Sequence, residues 1–343
     1  MKISFKNDYS EGAHPAILEA LLQTNRQQQP GYGLDDYSEQ AKELIKKRID
    51  SPESEVFFVS GGTQANLLVL GHVLRPHESI IACQSAHIAD HEAGAIEAVG
   101  HKIHLAPSKN GKITPENIRD YALRYTNVPH EVQPRLVYIT QATEVGSIYN
   151  LTELRAIWQC CQELGLLLYL DGARLAQALS AEENDIQWED LAHYTDIFYI
   201  GATKNGGLLG EAIVFNRAAL AQYFSFYIKQ KGALLSKGRL LGLQFLTLFQ
   251  NDLYNELGRV ANAYMKRIKE AFVAKGIRFL SETCTNQLFP ILTQEQIAQL
   301  SANFDFYLWE KVDAEHTAIR LITSWATEDN QVEALLKAIE QLS

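Results

Sequence analysis

The chain has 343 residues, 46% of them hydrophobic, enough to bury a sizeable core and to divide into a larger and a smaller unit. Its formal net charge of -10 is spread along the sequence, and no run of Lys or Arg is long enough to follow a phosphate backbone. Nucleic acid and anionic membranes are therefore poor partners. No stretch approaches the roughly 18 to 20 apolar residues of a bilayer span, and MKISFKNDYSEG lacks the apolar run of a signal peptide, so the expected location is the cytoplasm.

In the first fifty residues, PAILEALLQTNRQ and DYSEQAKELIKKRI read as helices joined by the turn-rich PGYGLDD, an N-terminal arm of a kind that often crosses a subunit boundary. From about residue 53 to 215, short runs rich in Val, Ile, Tyr and Phe alternate with helix-like segments, the pattern of a parallel sheet covered on both faces. The strands expected there are EVFFVS, SIIACQ, RLVYITQ, LLLYLD, DIFYIGA and EAIVFN. Between two of them, LTELRAIWQCCQELG sets Leu151, Leu154, Ile157, Trp158 and Cys161 at helical spacing, and Gly165 stands where a helix stops. From Arg217 to Gly276 the chain reads as nearly continuous helix. Strands around RFLSE, TNQLFPIL and TAIRLITSW and the helix DNQVEALLKAIEQL then suggest an α/β unit with a mainly antiparallel sheet. The expected organisation is an arm over 1–50, a large domain over 51–240 and a smaller C-terminal α/β domain over 241–343. No internal repeat is present. Cys83, Cys160, Cys161 and Cys284 form no CxxC spacing and read as buried free thiols.

The apolar run LLLYL ends in Asp171, which places a carboxylate at the carboxyl edge of the sheet, where open α/β folds bind ligands. Such an Asp can also simply cap a helix. DIFYIGATKNGG brings Lys204 to the same edge. An acid and an amine facing one molecule is the pairing that pyridoxal 5'-phosphate requires: the lysine forms a Schiff base, and the carboxylate keeps the pyridine nitrogen protonated so that the ring can accept electrons. In FFVSGGTQANLLVL a strand meets Gly61 and Gly62 and opens a helix near Thr63, whose backbone N–H groups and hydroxyl suit a phosphate. This is neither a Walker loop nor a GxGxxG turn, and a tight strand-helix connection would look the same. QSAHIADHEAG sets His87 after SIIACQ, on the same edge, able to stack on the pyridine ring or move a proton. His87 and His91, four apart with Asp90 and Glu92 beside them, also have a spacing that suits a metal, although the order is not HExxH and Lys204 would be left unexplained.

In order along the chain, DYSEG, YGLDDYS, FFVSGGTQANLL, SAHIADHEAG, TQATEVGSIYNLTEL, LYLDGARL and GATKNGG resemble the L-threonine aldolase and β-eliminating lyase family of fold-type I pyridoxal-phosphate enzymes, over roughly residues 7 to 210. The DGAR and lysine segments are the most specific. The resemblance implies a transferase-like large domain of fold type I with a mostly parallel sheet, and a smaller α/β domain. It implies Lys204 as the Schiff-base lysine, Asp171 as the pyridine partner, His87 as the stacking histidine, and Gly61, Gly62 and Thr63 as the phosphate turn. Arg174 of DGAR, which also borders the cofactor, and Arg320 of AIRLITSW match the pair that holds a substrate carboxylate, a task suited to the guanidinium fork. Arg239 falls where the family has an arginine at a neighbouring subunit's cofactor phosphate, with Lys231 and Lys237 as other candidates. Ser10, Tyr32 and Tyr37 sit in motifs that resemble substrate-pocket segments. Two departures stand out: Gly61 where many members have serine, and Thr143-Glu144 where typical members show His-Asn, so that a second histidine is missing.

The implied activity is cleavage of the Cα–Cβ bond of β-hydroxy-α-amino acids, threonine or allo-threonine giving glycine and acetaldehyde, without a metal. β-Elimination or transamination on the same scaffold is the first alternative. From other classes come a cofactor-binding protein without turnover and a hydrolase using a metal on His87 and His91. The implied partners are a small amino acid and further copies of the chain, in a homodimer or homotetramer.

Overall fold

A computed structural model describes residues 2–342. The strand β1 (Ile3–Ser4) opens the chain. The next seven are β2 (Glu55–Val59), β3 (Glu78–Cys83), β4 (Ile103–Ala106), β5 (Gln133–Thr140), β6 (Leu167–Asp171), β7 (Ile197–Gly201) and β8 (Glu211–Phe215). They form one sheet in the order β2-β8-β7-β6-β5-β3-β4. Every residue of β6, β7 and β8 is buried, which is why their sequences are unbroken apolar runs rather than alternating ones. The expected parallel sheet is present with one exception: β8 runs antiparallel to both β7 and β2. The reason is the connection. Residues 202–210 between β7 and β8 are too few for the helical crossover that a parallel partner needs. β4 was not among the expected strands, because HKIHLA at the sheet edge mixes polar and apolar side chains.

The two N-terminal helices form at Pro15–Thr24 and Asp36–Arg48 and bury Ile17, Ala41 and Ile45 in the main core of their own chain. Asp35 starts the second by accepting a hydrogen bond from the Ser38 N–H, 2.9 Å. Helix Leu151–Leu164 ends as expected at Gly165, whose φ of 67° is left-handed. The expected continuous helix after Arg217 is instead three helices, Phe224–Gln230, Arg239–Phe249 and Leu253–Ala274. The last break falls where Asn251 and Asp252 take φ values of 57° and 61°, with Asp252 held there by Arg48 at 2.8 Å.

Beyond these helices, β10 (Ile291–Thr293), β13 (His316–Ile322) and β12 (Tyr307–Lys311) form an antiparallel sheet joined by β9 (Gln287–Leu288), while β11 (Phe304–Asp305) pairs with β1. RFLSE makes only an isolated bridge, Phe279 to Pro290, not the expected strand. The mostly exposed β12 gave no apolar signal. A first core continues through Leu257, and a second holds Phe5, Met265, Ile268, Phe272 and the C-terminal strands and helices. The chain thus passes from one core to the other inside helix Leu253–Ala274, whereas the expected boundary lies after residue 240. Cys83, Cys160 and Cys161 are buried and free, but Cys284 is only half-buried. Among the described residues no helix is long and apolar enough to cross a membrane.

Candidate active site

Parallel strands deliver their last residues to one edge, and the chemistry-bearing side chains collect there. Asp171 ends β6, Lys204 follows β7, His87 lies four residues past β3, and Glu144 four past β5. The Asp171 and Lys204 segments approach because Gly201 donates its N–H to the Gly172 carbonyl at 3.0 Å. Only glycine fits here: a Cβ on Gly172 would lie 2.0 Å from the Tyr199 carbonyl oxygen, and one on Gly201 2.6 Å from that of Ala173. The glycines of LDGAR and YIGATK are thus explained by strand approach.

A cavity of about 420 Å³ opens at this edge. It is lined by the expected His87, Arg174, Lys204 and Arg320, and by Tyr9, His91, Glu144, Gln287 and the β12 residues Tyr307, Leu308 and Trp309. A larger groove, about 650 Å³, runs along helix Leu253–Ala274 beside Cys284, but none of the expected residues reaches it. Convergent polar groups, not volume, mark the site.

Burial, together with the like charge of Arg174, holds the Lys204 amine below its ordinary pKa, against the opposing pull of Asp8, Asp171 and Glu211. Among the described residues Lys204 makes no ion pair. Three donors orient the buried Asp171: the Ala173 N–H at 2.9 Å, the Asn66 amide at 3.2 Å and the Tyr138 hydroxyl. Asn66 also donates to Glu92 at 2.7 Å, and Glu92 contacts His87 Nδ1 at 2.8 Å, so one network joins His87 to Asp171. Glu211, buried beneath the lysine loop, accepts from Thr203 Oγ1 at 3.0 Å, and burial pushes its carboxyl up to about 8. Helix Gly62–Val73 starts at Gly61 with no side chain capping it, which leaves its first N–H groups without a side-chain acceptor.

The two arginines differ. Arg174 is clasped by Asp8, Nε to Oδ2 at 2.7 Å and Nη2 to Oδ1 at 3.0 Å. Burial opposes the Asp8 charge, but Arg174 and Lys204 outweigh it and hold this carboxyl below its usual value. Arg320 lies over the rings of Trp309 (4.7 Å) and Tyr307 (5.0 Å), and its buried Nε has no hydrogen-bond partner.

Ser10, Tyr32 and Arg239 lie outside the cavity lining, as do Gly61, Gly62, Thr63 and the buried Asp171. Ser10 is exposed, donating to Asn7 Oδ1 at 2.8 Å, while its neighbour Tyr9 lines the cavity and Asp8 holds Arg174. Tyr32 lies beneath the Lys229 ammonium (4.4 Å), and its N–H donates to the Ser236 carbonyl at 3.1 Å. Arg239 donates to the carbonyls of Gln27 (2.7 Å) and Thr24 (2.9 Å). His87 and His91 have ring centres 5.6 Å apart, but among the described residues no three His, Cys, Asp or Glu side chains converge to hold a metal.

Residues 7–295 match the model of the beta-eliminating lyase family. The chain belongs to that family. Over 342 residues this lyase is 33% identical to the low specificity L-threonine aldolase of Pseudomonas aeruginosa, covering 98% of this chain and 96% of that one. A solved structure of Leishmania major threonine aldolase superposes with a TM-score of 0.97 at 45% identity, over 99% of both chains. Aspartate aminotransferase of Thermus thermophilus, 14% identical, shares the fold with a TM-score of 0.73 over 98% of this chain and 90% of that one, which places the lyase in fold type I. Enzymes of this family work with pyridoxal 5'-phosphate. The residues present fit that group: an amine of lowered pKa, a buried carboxylate at a strand end, an uncapped helix start and a guanidinium Nε without a partner.

Proposed function

We propose that this lyase splits the Cα–Cβ bond of β-hydroxy-α-amino acids such as threonine or allo-threonine, releasing glycine and an aldehyde. The observation that carries the reading is the meeting of Lys204, Arg174 and Arg320 in one cavity, in a chain whose relatives named threonine aldolase match it from end to end. When bound, the cofactor supplies a ring that accepts the electron pair left at Cα. Lys204 would hold it through its amine, Asp171 would pair with its pyridine nitrogen, His87 would stack on its ring, and Gly61, Gly62 and Thr63 would receive its phosphate.

Arg320, with its spare donor, and Arg174, steadied by Asp8, grip the substrate carboxylate. Two charged anchors near one end of a small molecule fix how the bonds at its Cα are presented, an orientation effect that decides which of them breaks. Trp309 and Tyr307 hold the Arg320 plane in place by stacking.

The working unit in this reading is a homodimer or a larger symmetric assembly in the cytoplasm. Tyr32 and the Ser236–Arg239 segment pack together on a face that does not line the chain's own cavity, and Leu34 and Phe226, large and apolar, are exposed. Such a face suits completion of a partner's site.

The test compares wild-type protein with Lys204→Ala, by absorbance with added cofactor and by products from L-threonine and L-allo-threonine. Wild type alone should show the visible band of an amine-bound aldehyde and release glycine and acetaldehyde. A keto acid or pyruvate in place of glycine would replace this reading with transamination or elimination.

A further inference from the structure

The segment TQATEVG has no imidazole where a second histidine is typical, and the fold puts a carboxyl there instead. Glu144 is half-buried on the cavity wall with Lys204, Arg174 and His87. Its Oε1 accepts the His87 backbone N–H at 3.0 Å and its Oε2 accepts the Thr140 hydroxyl at 2.9 Å. A carboxylate has about four lone-pair sites, so these two bonds fix its orientation and leave acceptor capacity on each oxygen. Among the described residues Glu144 forms no ion pair, which sets it apart from Asp8, whose oxygens are taken by Arg174 and Asn286. His87 has its Nδ1 engaged by Glu92, and His91 lies further out, toward Trp309.

We propose that Glu144 is the group that takes the β-hydroxyl proton of the substrate as the Cα–Cβ bond breaks, an inference that rests on the aldol-cleavage reading above. The proton passes to a Glu144 oxygen, and the O–H bond pair becomes the second C–O bond of the aldehyde. The pair of the broken Cα–Cβ bond stays on Cα, which takes up one proton to become glycine, so the reaction is proton-neutral overall. Burial and the nearby Asp171 charge push this carboxyl up to about 7, where it can both accept and return a proton at neutral pH. The titratable and charged groups facing it are Cys83 at the end of β3 and His87 just past it, Tyr138 and Tyr149 on either side of its own loop, Asp171 and Arg174 at the end of β6, and Lys204 across the cavity.

The experiment uses cofactor-loaded wild type, Glu144→Gln and Glu144→Asp. Glu144→Gln should lower kcat for threonine cleavage by roughly 10²- to 10⁴-fold with little change in KM, and should abolish the acid limb expected near pH 7 in the kcat/KM of wild type. Exchange of the α-hydrogen of glycine in deuterated water, which involves no β-hydroxyl, should persist in Glu144→Gln, and Glu144→Asp should regain part of the cleavage rate. In cofactor-free wild type an infrared carboxyl band should titrate near pH 7 and be missing from Glu144→Gln. Unchanged kcat and acid limb in Glu144→Gln, or loss of glycine exchange as deep as the loss of cleavage, would overturn the inference while leaving the aldol reading intact. Wild type that releases no aldehyde would overturn both.

Discussion

Replacing Asp8 by Asn removes one charge from a buried pair while keeping its shape. Asp8 is fully buried and the Arg174 side chain is 11% exposed, so the guanidinium would be left with little solvent to replace its partner. Breaking such a pair costs about 3 to 5 kcal/mol. An amide that still accepts one guanidinium hydrogen bond puts Asp8→Asn at the lower end, about 3 kcal/mol. For a chain of 343 residues that lowers the melting midpoint by roughly 4 °C. Urea unfolding and calorimetry of wild type and variant measure it, provided unfolding is reversible. The pH dependence has a definite sign. The folded pKa of Asp8 lies below the 3.8 of an unfolded Asp, so its stabilisation is complete above that value and is lost as pH falls through the lower folded one. The gap between wild type and Asp8→Asn should therefore be level from pH 8 down to about pH 5 and close only in stronger acid. A gap under about 1 kcal/mol at neutral pH, or one that already closes near pH 6, would refute the account of Asp8 as the clasp of Arg174.

Arg320→Gln should raise KM for the amino acid by roughly 10- to 100-fold, the worth of a charge-assisted hydrogen bond, and leave the cofactor spectrum unchanged; a KM close to wild type would take Arg320 out of the substrate site. Sedimentation should find a dimer or larger assembly, and Arg239→Gln should loosen cofactor retention although Arg239 lies outside its own chain's cavity. A fully active monomer would refute the shared site, and unchanged retention would remove Arg239 from it.

Much of the site could be read from sequence because it depends on local order. A buried parallel strand is an unbroken apolar run, and whatever polar residue follows it lands at the sheet's carboxyl edge, so Asp171, Lys204 and His87 could be placed together without tertiary information. The direction of β8 was readable in principle too, from the shortness of residues 202–210. The other half of the cavity had no such signal. Tyr307, Trp309 and Gln287 come from short, mostly irregular strands, and the clasp of Arg174 by Asp8 spans 166 residues of sequence separation, which no periodicity encodes. Glu144 lies between these cases. Its position in TQATEVG could be read as the loss of a histidine, but whether the carboxyl replaces that histidine or merely fills its place depends on where the side chain points. The His87 N–H and the Thr140 hydroxyl settle the direction; the first lies four residues past β3 and the second ends β5, strands that are neighbours only once the sheet has formed. A local sequence departure thus acquires chemical meaning through a long-range pairing: the same register that brings β3 beside β5 turns an apparent deletion into a carboxyl aimed at the cavity.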